Sequence, residues 1–453
     1  MISPPGSRPP HANRNKAREG KRHLLLPFCL APVWVFILIS LLSCTANGSE
    51  SSAIVVTNLP YLNVAVEKYN SLDPDTPIQL RPSTNPAGEL NGANGQTRAA
   101  DGIIARGIPY PQITGSLAFL DKVLARLPWH ASQYPPFGLV YGTEQQEPLG
   151  IPLAVDYPVV VFQFSNANPP RTAEGLSRLE SMSMEVTQLR TLAAAHNRLA
   201  GGAYNRLGFD PRWDDAFLMG VMRLTGTAFT AAPETEARLT WDPQGLEQAL
   251  ELFRNWHGEG GPTNEQVTTF DQRFGYDPWF QMIRDNRVGY RVMGFSEFLK
   301  LDDRFRRDLQ FRWLAIDGVI PVMELPVYGV ISGNSRVSTG TEQFLSWLVS
   351  PEGVFSVMHA WGQTGLPGNH FLGGLPVTPL NNAWHQEFFP GTPMPELFNV
   401  RFPEAHPAQW DRIQQEVLLP WVREHSRMEA GSPVDHGSLL RTLESWQRLH
   451  RFE

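Results

Sequence analysis

The sequence predicts an α/β fold, and two observations carry that prediction. Short apolar runs rich in β-branched residues alternate with helix-like stretches along most of the chain, which is typical of a sheet with helices on its faces. One extended run, Gly150 to Ser165, exceeds the length of an ordinary strand. We therefore expect this run to cross between two domains.

The first elements alternate strand and helix. A buried strand is predicted at Ile54–Val56 and a helix from Tyr61 to Asn70. The apolar residues of this helix follow the i, i+3, i+4, i+7 spacing of one face: Leu62, Ala65, Val66 and Tyr69. Further elements are predicted in chain order: a strand at 78–80, a polar loop over 82–100, a strand at 103–104 and a helix over 117–127.

The rest of the chain after the long run is mostly helical. Helices are predicted at 183–199, 213–222, 243–257, 266–286, 341–349, 353–360, 414–425 and 437–450, and strands at 311–315 and 327–332. Residues 370–410 are rich in proline and predicted to be loops.

Residues 1–43 have the pattern of an export leader. Six basic residues and one acid precede an uncharged apolar stretch, Leu24 to Leu42. The alternative is a transmembrane anchor, but Pro27 and Pro32 interrupt the stretch, which falls short of the roughly 20 continuous apolar residues that an anchor needs. The pattern favours a cleaved signal peptide.

The stretch ends in Leu-Leu-Ser-Cys, which resembles the lipobox of bacterial lipoproteins. That resemblance implies cleavage before Cys44 and acylation of its thiol, so that the mature protein is tethered to a membrane. Residues 44–52 are predicted to be a flexible stem. A leader cysteine without a special role, like Cys29, is the alternative.

Cysteine content and charge exclude several classes of function. Both cysteines lie at or before position 44, so the mature body has no disulfide, no cysteine nucleophile and no Cys-ligated zinc. Removing the six basic and one acidic leader residues from 38 and 45 leaves 32 and 44, a net charge of −12. That charge argues against nucleic acid as a partner.

From Ile54 to at least Pro376 the order of elements resembles the sugar-binding group of ABC-importer solute-binding proteins, which includes maltose-binding protein. The motifs are IVVTNLPYLNVAVEKYNSLDPDTPIQL, DGIIARGIPYPQITGSLAFLDKVL, EPLGIPLAVDYPVVVFQFS, LTWDPQGLEQALELFRNW and TEQFLSWLVSPEGVFSVMHAWGQTGLP. Two departures stand out: Gln163-Phe164 replaces the usual Tyr-Asn, and Tyr290-Arg291 replaces two small residues in NRVGYRVMGFSEF.

The resemblance implies a two-lobed periplasmic-binding-protein fold of type II, with hinge crossings and a ligand cleft between the lobes. It places residues 53–158 and 318–350 in lobe one, and residues 159–317 and 351–453 in lobe two. The implied function is capture of a small polar solute, a sugar or oligosaccharide, for delivery to ABC permease subunits. A monomer without cofactor or metal is expected.

Aromatic and polar side chains at loop positions are candidates for the cleft, because a sugar site needs hydrogen-bonding groups and aromatic faces. The candidates are Tyr61, Arg106, Tyr110, Asp156, Tyr157, Trp213, Phe295, Tyr328 and Trp361. Each has an ordinary alternative: an aromatic ring packs in a core, and Arg106 forms a surface ion pair. Asp214 and Asp215 are expected to cap the following helix.

Other functions remain open from the residues alone. There is no G-x-S-x-G, H-E-x-x-H or P-loop motif, and the histidines lack metal-ligand spacing. A glycoside hydrolase needs only two carboxylates, so it stays an alternative. A stand-alone carbohydrate sensor or adhesion module has the same fold and a different partner.

Overall fold

The computed structural model describes residues 52–90, 98–108, 113–127, 140–141, 148–163, 182–227, 229–231, 239–323, 325–335, 337–364, 371–377, 400–401 and 409–450. The strands are β1 Ala53–Thr57, β2 Ile78–Pro82, β3 Gly102–Arg106, β4 Val140–Tyr141, β5 Pro148–Val155, β6 Pro158–Phe162, β7 Ser183–Glu185, β8 Arg198–Ala200, β9 Ala203–Arg206, β10 Thr230–Ala231, β11 Leu239–Thr240, β12 Tyr290–Gly294, β13 Gln310–Ala315, β14 Ile320–Pro321, β15 Val327–Ile331, β16 Leu375–Pro376 and β17 Val400–Arg401.

The α-helices are α1 Leu62–Asn70, α2 Asp121–Ala125, α3 Val186–His196, α4 Asp215–Leu224, α5 Pro243–Arg254, α6 Asn264–Phe274, α7 Trp279–Arg284, α8 Phe295–Leu299, α9 Asp303–Arg306, α10 Ser338–Leu348, α11 Pro351–Gln363, α12 Trp410–Ile413, α13 Leu419–His425 and α14 His436–Leu449. A π-helical turn, Gln414–Leu418, joins α12 to α13.

Two mixed sheets organise these elements. The first has the order β16-β5-β15-β3-β1-β2, with β4 on β5, and the second has the order β12-β6-β13-β7. Strands β1, β2 and β3 run parallel, whereas β15 is antiparallel to both β3 and β5. The predicted α/β class is confirmed.

The long run at 150–165 divides into two strands that belong to different sheets. β5 ends at Val155 in the first sheet and β6 begins at Pro158 in the second, with only Asp156 and Tyr157 between them. A proline is well placed as the first residue of a strand, where its missing N–H costs no ladder bond. The run therefore passes from one sheet to the other within the described residues 148–163. A second crossing returns from β13 through β14 to β15.

Local capping explains where several helices begin. Asp242 accepts a hydrogen bond from the Gln244 N–H and is followed by a proline at the first helical position of α5. Thr263 and Gln266 form a reciprocal capping box at α6. The predicted face of α1 is confirmed, since all four residues predicted to form it are buried.

Several predicted boundaries were wrong because apolar residues also lie in strands and turns. Leu117 bridges to Ser332 instead of starting a helix, and only Asp121–Ala125 of the predicted 117–127 helix is helical. The predicted 266–286 helix divides into α6 and α7, with Gly275 and Pro278 between them. The 183–199 helix is flanked by β7 and β8.

The assignment of all of residues 351–453 to lobe two is corrected by packing. Helix α11 packs against α1, and β16 pairs with β5, so both elements belong with the first sheet. Helices α12 to α14 share a core with the second sheet, in which Trp410, Leu418 and Leu443 pack with Tyr290 and Val292 of β12. The chain returns to the first sheet before it ends on the second.

Candidate functional site

The parallel strands β1 and β3 end at the same edge of the first sheet, and two predicted site residues follow them there. Tyr61 lies just before α1, and Arg106 is the last residue of β3. Asn58 ties the two strand ends together, because its Nδ2 donates to the Arg106 carbonyl and its Oδ1 accepts from the Arg106 N–H, both at 3.0 Å. The carboxyl ends of parallel strands are where α/β folds place ligands.

Two distant segments complete this group, which we call the edge cluster: Tyr61, Arg106, Trp361 and Gly373. The Tyr61 and Trp361 rings meet edge to face with centroids 5.2 Å apart. Arg106 Nη2 donates to the Gly373 carbonyl at 2.5 Å. A Cβ on Gly373 would lie 2.6 Å from that nitrogen and 3.4 Å from Tyr61 Cε2, so a larger residue there would displace the Arg106 guanidinium.

The edge cluster keeps both an aromatic surface and hydrogen-bond donors available. Tyr61 and Arg106 are partly exposed, whereas Trp361 is buried beneath Tyr61. Among the described residues, none accepts a hydrogen bond from Arg106 Nε or Nη1. A polar ligand with an apolar face therefore finds both kinds of contact here.

Asp156 lies on the crossing beside this cluster. Its carboxylate accepts from the Ser296 N–H at 3.0 Å, the Ser296 hydroxyl at 2.5 Å and the Tyr157 N–H at 3.0 Å. Its carbonyl accepts from the Met323 N–H at 2.7 Å, which joins the two crossings. Burial raises the pKa of Asp156, although the Ser296 hydrogen bonds and the positive charge of Arg106 oppose that rise.

A second polar group lies along the free edge of β12, at the start of α4. Trp213 is partly exposed, and its Nε1–H donates to Asp271 at 2.9 Å. Asp214 is buried, accepts from the Val292 N–H at 2.8 Å and forms an ion pair with Arg291. Burial raises the pKa of Asp214 to about 6, even though Arg291 favours the charged form.

Charges link this group to the crossing. Burial raises the pKa of Glu297, the positive charge of Arg291 opposes that rise, and the negative charge of Asp156 adds to it. Arg291 stands where the resemblance led us to expect a small residue. Its positive charge therefore interacts with the carboxylates of both Asp214 and Glu297. Its Nε is buried and has no hydrogen-bond partner in the described part of the chain.

Sequence reasoning missed a buried ion pair just before α4, formed by Asp210 with Arg212 and His257. Asp210 is 1% exposed. Its carboxylate accepts two hydrogen bonds from Arg212, from Nε to Oδ1 at 2.7 Å and from Nη2 to Oδ2 at 2.5 Å. His257 Nε2 lies 3.0 Å from Asp210 Oδ2 and forms a third hydrogen bond. Burial alone would raise the pKa of Asp210, but its hydrogen bonds and the charges of Arg212 and His257 hold it well below its usual range. The sequence Asp-Pro-Arg is the signal that was available.

Three predicted aromatic site residues are corrected. Tyr157 and Phe295 are each 1% exposed and pack on Trp313, with centroids at 5.8 and 5.0 Å. Tyr328 is 7% exposed and packs in a core cluster with Ile54 and Val56 of β1. Burial raises the pKa of both tyrosines. These rings stabilise the core instead of lining a cleft.

The remaining expectations fall into two groups. Tyr110 and Cys44 lie outside the described residues. In the described part of the chain, no group of three or more His, Cys, Asp or Glu side chains is placed to hold a metal ion. None of the helices described has the length and apolar character that spanning a membrane requires.

No protein-family model matches this sequence. No curated protein matches it closely enough to count as a relative.

Three solved structures that are similar to this chain share one fold. A sugar transporter from Rhizobium etli in an open conformation is 14% identical with a TM-score of 0.59, covering 87% of this chain and 99% of that chain. The sugar-binding protein MalE from Xanthomonas citri is 14% identical with a TM-score of 0.59, covering 89% and 100%. An ABC substrate-binding protein from Listeria monocytogenes, in complex with cycloalternan, is 13% identical with a TM-score of 0.53, covering 89% and 99%.

These similarities extend over nearly the whole length of each neighbour. The chain therefore has the α/β fold of type II periplasmic binding proteins, as the resemblance implied. At this level of identity the likeness concerns the fold, and function has to be argued from the site.

Proposed function

We propose that this protein is an extracytoplasmic solute-binding protein that captures a sugar or oligosaccharide and delivers it to an ABC importer. The observation that carries the proposal is the edge cluster, in which Tyr61 and Arg106 are held beside the crossing by Trp361 and Gly373. Aromatic surface and free donors meet there next to a segment that joins the two sheets.

The chemistry of this group suits a carbohydrate. The Tyr61 ring offers an apolar surface for the C–H face of a sugar ring, and Arg106 offers donors to hydroxyl oxygens. Asp156 lies close enough for its charge to interact with Arg106. Because the two opposite charges balance, an uncharged ligand suits the group better than an anion.

The structural neighbours support the same class of ligand. They include a sugar transporter, a sugar-binding protein and an ABC substrate-binding protein. That comparison supports the proposed delivery to permease subunits. We propose that the two sheets close on the ligand by bending at the crossings. We propose a monomeric receptor without a cofactor.

We propose that lipid on Cys44 holds this receptor at the outer face of a bacterial membrane. The support is the leader of residues 1–43 and its lipobox-like end. One acyl chain binds a membrane only marginally, so Cys44 is expected to carry several. The packing of α11 and β16 leads us to propose a lobe one of 53–158, 318–350 and 351–377, and a lobe two of 159–317 and 400–450.

A ligand screen tests the proposed function. The purified protein is heated with mono- and oligosaccharides, and a bound sugar at 100 times its dissociation constant raises the free energy of unfolding by about 2.7 kcal/mol. Calorimetric titration of the best sugar then compares wild type with Arg106→Ala and with Arg304→Ala as the control. The Arg304 side chain is 74% exposed on α9 and lies outside the edge cluster.

We expect Arg106→Ala to weaken binding about tenfold, which corresponds to about 1.4 kcal/mol, and Arg304→Ala to leave it unchanged. A flat thermal response to every sugar would refute the carbohydrate ligand. Chemical turnover of the bound sugar would favour a glycoside hydrolase instead. An equal loss of affinity in Arg106→Ala and Arg304→Ala would show that the edge cluster is not the binding site.

A further inference from the structure

Several arginines from separate segments meet at the end of the second sheet that is remote from the crossings. Tyr290 of β12 pairs with Phe162, the last residue of β6, whereas the first crossing joins β6 at its other end, Pro158. The segment just before β12 therefore lies away from the crossings. Side chains around that segment are not expected to touch a ligand held between the two sheets.

Backbone pairing sets three of these arginines in a row. Arg198 and Arg206 are directly opposite each other in the β8–β9 hairpin. Leu207 pairs in parallel with Val288, and its N–H donates to the Arg287 carbonyl at 2.9 Å. Arg206 therefore lies beside Arg287. Like charges directly opposite each other on paired strands are destabilising, so an anion against this row would stabilise it.

A fourth arginine, on helix α6, joins the row through an aromatic ring. The guanidinium carbons of Arg273 and Arg287 lie 4.9 and 4.5 Å from the centroid of the Phe274 ring, so both cations stack on the same ring. Phe274 is buried, and it holds both guanidinium groups near the surface. We call these four residues the arginine patch: Arg198, Arg206, Arg273 and Arg287.

Carboxylates neutralise only part of the arginine patch. Arg287 forms an ion pair with Asp277 at 3.1 Å. Asp271, also on α6, accepts a hydrogen bond from Trp213 Nε1 instead. Within the described ranges of the chain, the other three arginines of the patch form no ion pair. Positive charge is thus concentrated here, although the mature chain has a net charge of −12.

Two exposed apolar side chains lie next to the arginine patch. Leu199 follows Arg198 in the hairpin and is 57% exposed, and Tyr276 follows the end of α6 and is 93% exposed. Tyrosine is enriched at membrane–water interfaces, and arginine is attracted to anionic headgroups. Binding to a membrane surface combines buried apolar area with this electrostatic attraction. The patch offers both contributions.

We infer that the arginine patch docks on a membrane surface that contains anionic phospholipid. The arginines contact lipid phosphates, and the side chains of Leu199 and Tyr276 enter the headgroup layer. A membrane is favoured over an acidic protein because the proposed lipid on Cys44 would hold the body beside a bilayer, where a weak contact is populated. The inference goes beyond the proposed function, since the patch and the edge cluster share no residue.

The test uses the body without its leader, because a lipid anchor would hide a weaker contact. Residues 51–453 form one compact unit, separate from residues 1–50, and every described helix and strand lies within it, so the body folds without the leader. The purified body is mixed with vesicles of phosphatidylcholine, alone or mixed with phosphatidylglycerol. Flotation of the vesicles measures how much protein is bound.

Two pairs of charge reversals separate the patch from the effect of net charge. The patch variant combines Arg206→Glu with Arg273→Glu. Arg198 is left in place because it donates to backbone carbonyls at the end of α3. The control combines Arg441→Glu with Arg448→Glu, at exposed positions of α14, and changes the net charge by the same amount.

We expect the wild-type body to float with the phosphatidylglycerol vesicles at low salt and to be released as salt screens the attraction. The patch variant should bind at least about tenfold more weakly, and the control should bind as the wild type does. The patch variant should melt no lower than the wild type, because Arg206→Glu replaces a like-charge pair with an opposite-charge pair.

A third variant tests the apolar contribution. Leu199→Ser with Tyr276→Ser should also weaken binding to phosphatidylglycerol vesicles, because it removes apolar area from the headgroup layer. The dependence of binding on salt should stay as in the wild type, since no charge changes. Unchanged binding in this variant would overturn the insertion of these side chains.

Equal binding to the two kinds of vesicle, or no binding to either, would overturn the inference and leave an acidic protein as the partner to test. Equal losses in the patch variant and the control would overturn it as well, because net charge alone would explain them. If the patch variant melts lower, Arg206→Gln with Arg273→Gln decides the result. Failure of the proposed function has a different signature, namely no sugar binding with vesicle binding intact.

Discussion

The guanidinium of Arg106 donates a hydrogen bond to the carbonyl of Gly373, a residue 267 positions away in sequence. Gly373 has a φ of +79°, in the region that favours glycine. This contact fixes the end of β3 against the segment that leads into β16. It explains how three separate parts of the chain form one polar and aromatic surface.

Gly373→Ala is expected to weaken ligand binding by displacing Arg106. The new Cβ would lie 2.6 Å from Arg106 Nη2, and the left-handed backbone would cost a further 1–2 kcal/mol, roughly. Gly201→Ala is the matched control, since Gly201 has a φ of +61° and open space around its Cβ. Calorimetry should show reduced affinity for Gly373→Ala alone, while both variants lose stability. Equal affinities of Gly373→Ala and Gly201→Ala would show that Gly373 does not contribute to ligand binding.

Tyr61 and Phe295 are expected to respond in opposite ways to truncation. Phe295→Ala empties a fully buried position and should lower the free energy of unfolding by roughly 3–5 kcal/mol. Tyr61→Ala removes a partly exposed ring and should mainly weaken sugar binding, by about tenfold for a lost aromatic contact of about 1.4 kcal/mol. Denaturant unfolding and calorimetry measure the two effects. A stable Phe295→Ala that loses affinity would reverse this assignment.

Asp214 is expected to make the stability of the protein depend on pH. Burial raises its pKa from 3.8 to about 6. The folded state then binds this proton more tightly than the unfolded chain does, so the stabilisation is fully present below about pH 4 and is lost as pH rises through 6. The size of the effect is on the order of 3 kcal/mol.

Comparison with Asp214→Asn isolates this contribution. The asparagine retains an oxygen that accepts from the Val292 N–H but does not titrate. The difference in unfolding free energy, wild type minus variant, should fall between pH 4 and pH 6 and level off above that range. Contributions of groups such as Asp210 occur in both proteins and cancel. A difference that stays constant with pH would contradict the prediction.

Cys44 is expected to carry the membrane anchor. Cells producing the wild type in the presence of labelled palmitate should yield a labelled, membrane-bound protein. Cys44→Ala should yield an unlabelled protein that leaves the membrane fraction and binds its ligand with unchanged affinity, because the stem is only a tether. Cys29→Ser in the leader is the control and should behave as the wild type. Label retained in Cys44→Ala would place the lipid elsewhere.

Local patterns predicted the elements well where one periodicity dominated. The face of α1 follows from the spacing of Leu62, Ala65, Val66 and Tyr69, and all four are buried. The crossing after Val155 follows from a run that is too long for one strand. Strand β12 was not predicted, because its sequence alternates poorly and depends on pairing with β6.

The aromatic site residues show the limit of local patterns. Tyr61 and Phe295 both lie next to a strand end at the start of a helix, yet one ring is partly exposed and the other is 1% exposed. Nothing within a few residues of either distinguishes them. The difference arises from neighbours such as Trp313 and Trp361, which come from remote segments.

The sequence by itself determined the α/β class and the long run that crosses at Asp156, and it gave Tyr61 and Arg106 as two of several site candidates. The tertiary structure decided which side chains meet: Arg106 with Gly373, Asp156 with Ser296, and Asp214 with Arg291. The physical reason is that spacing along a chain reports which side chains share a face of one element, whereas contacts between elements depend on how whole faces pack.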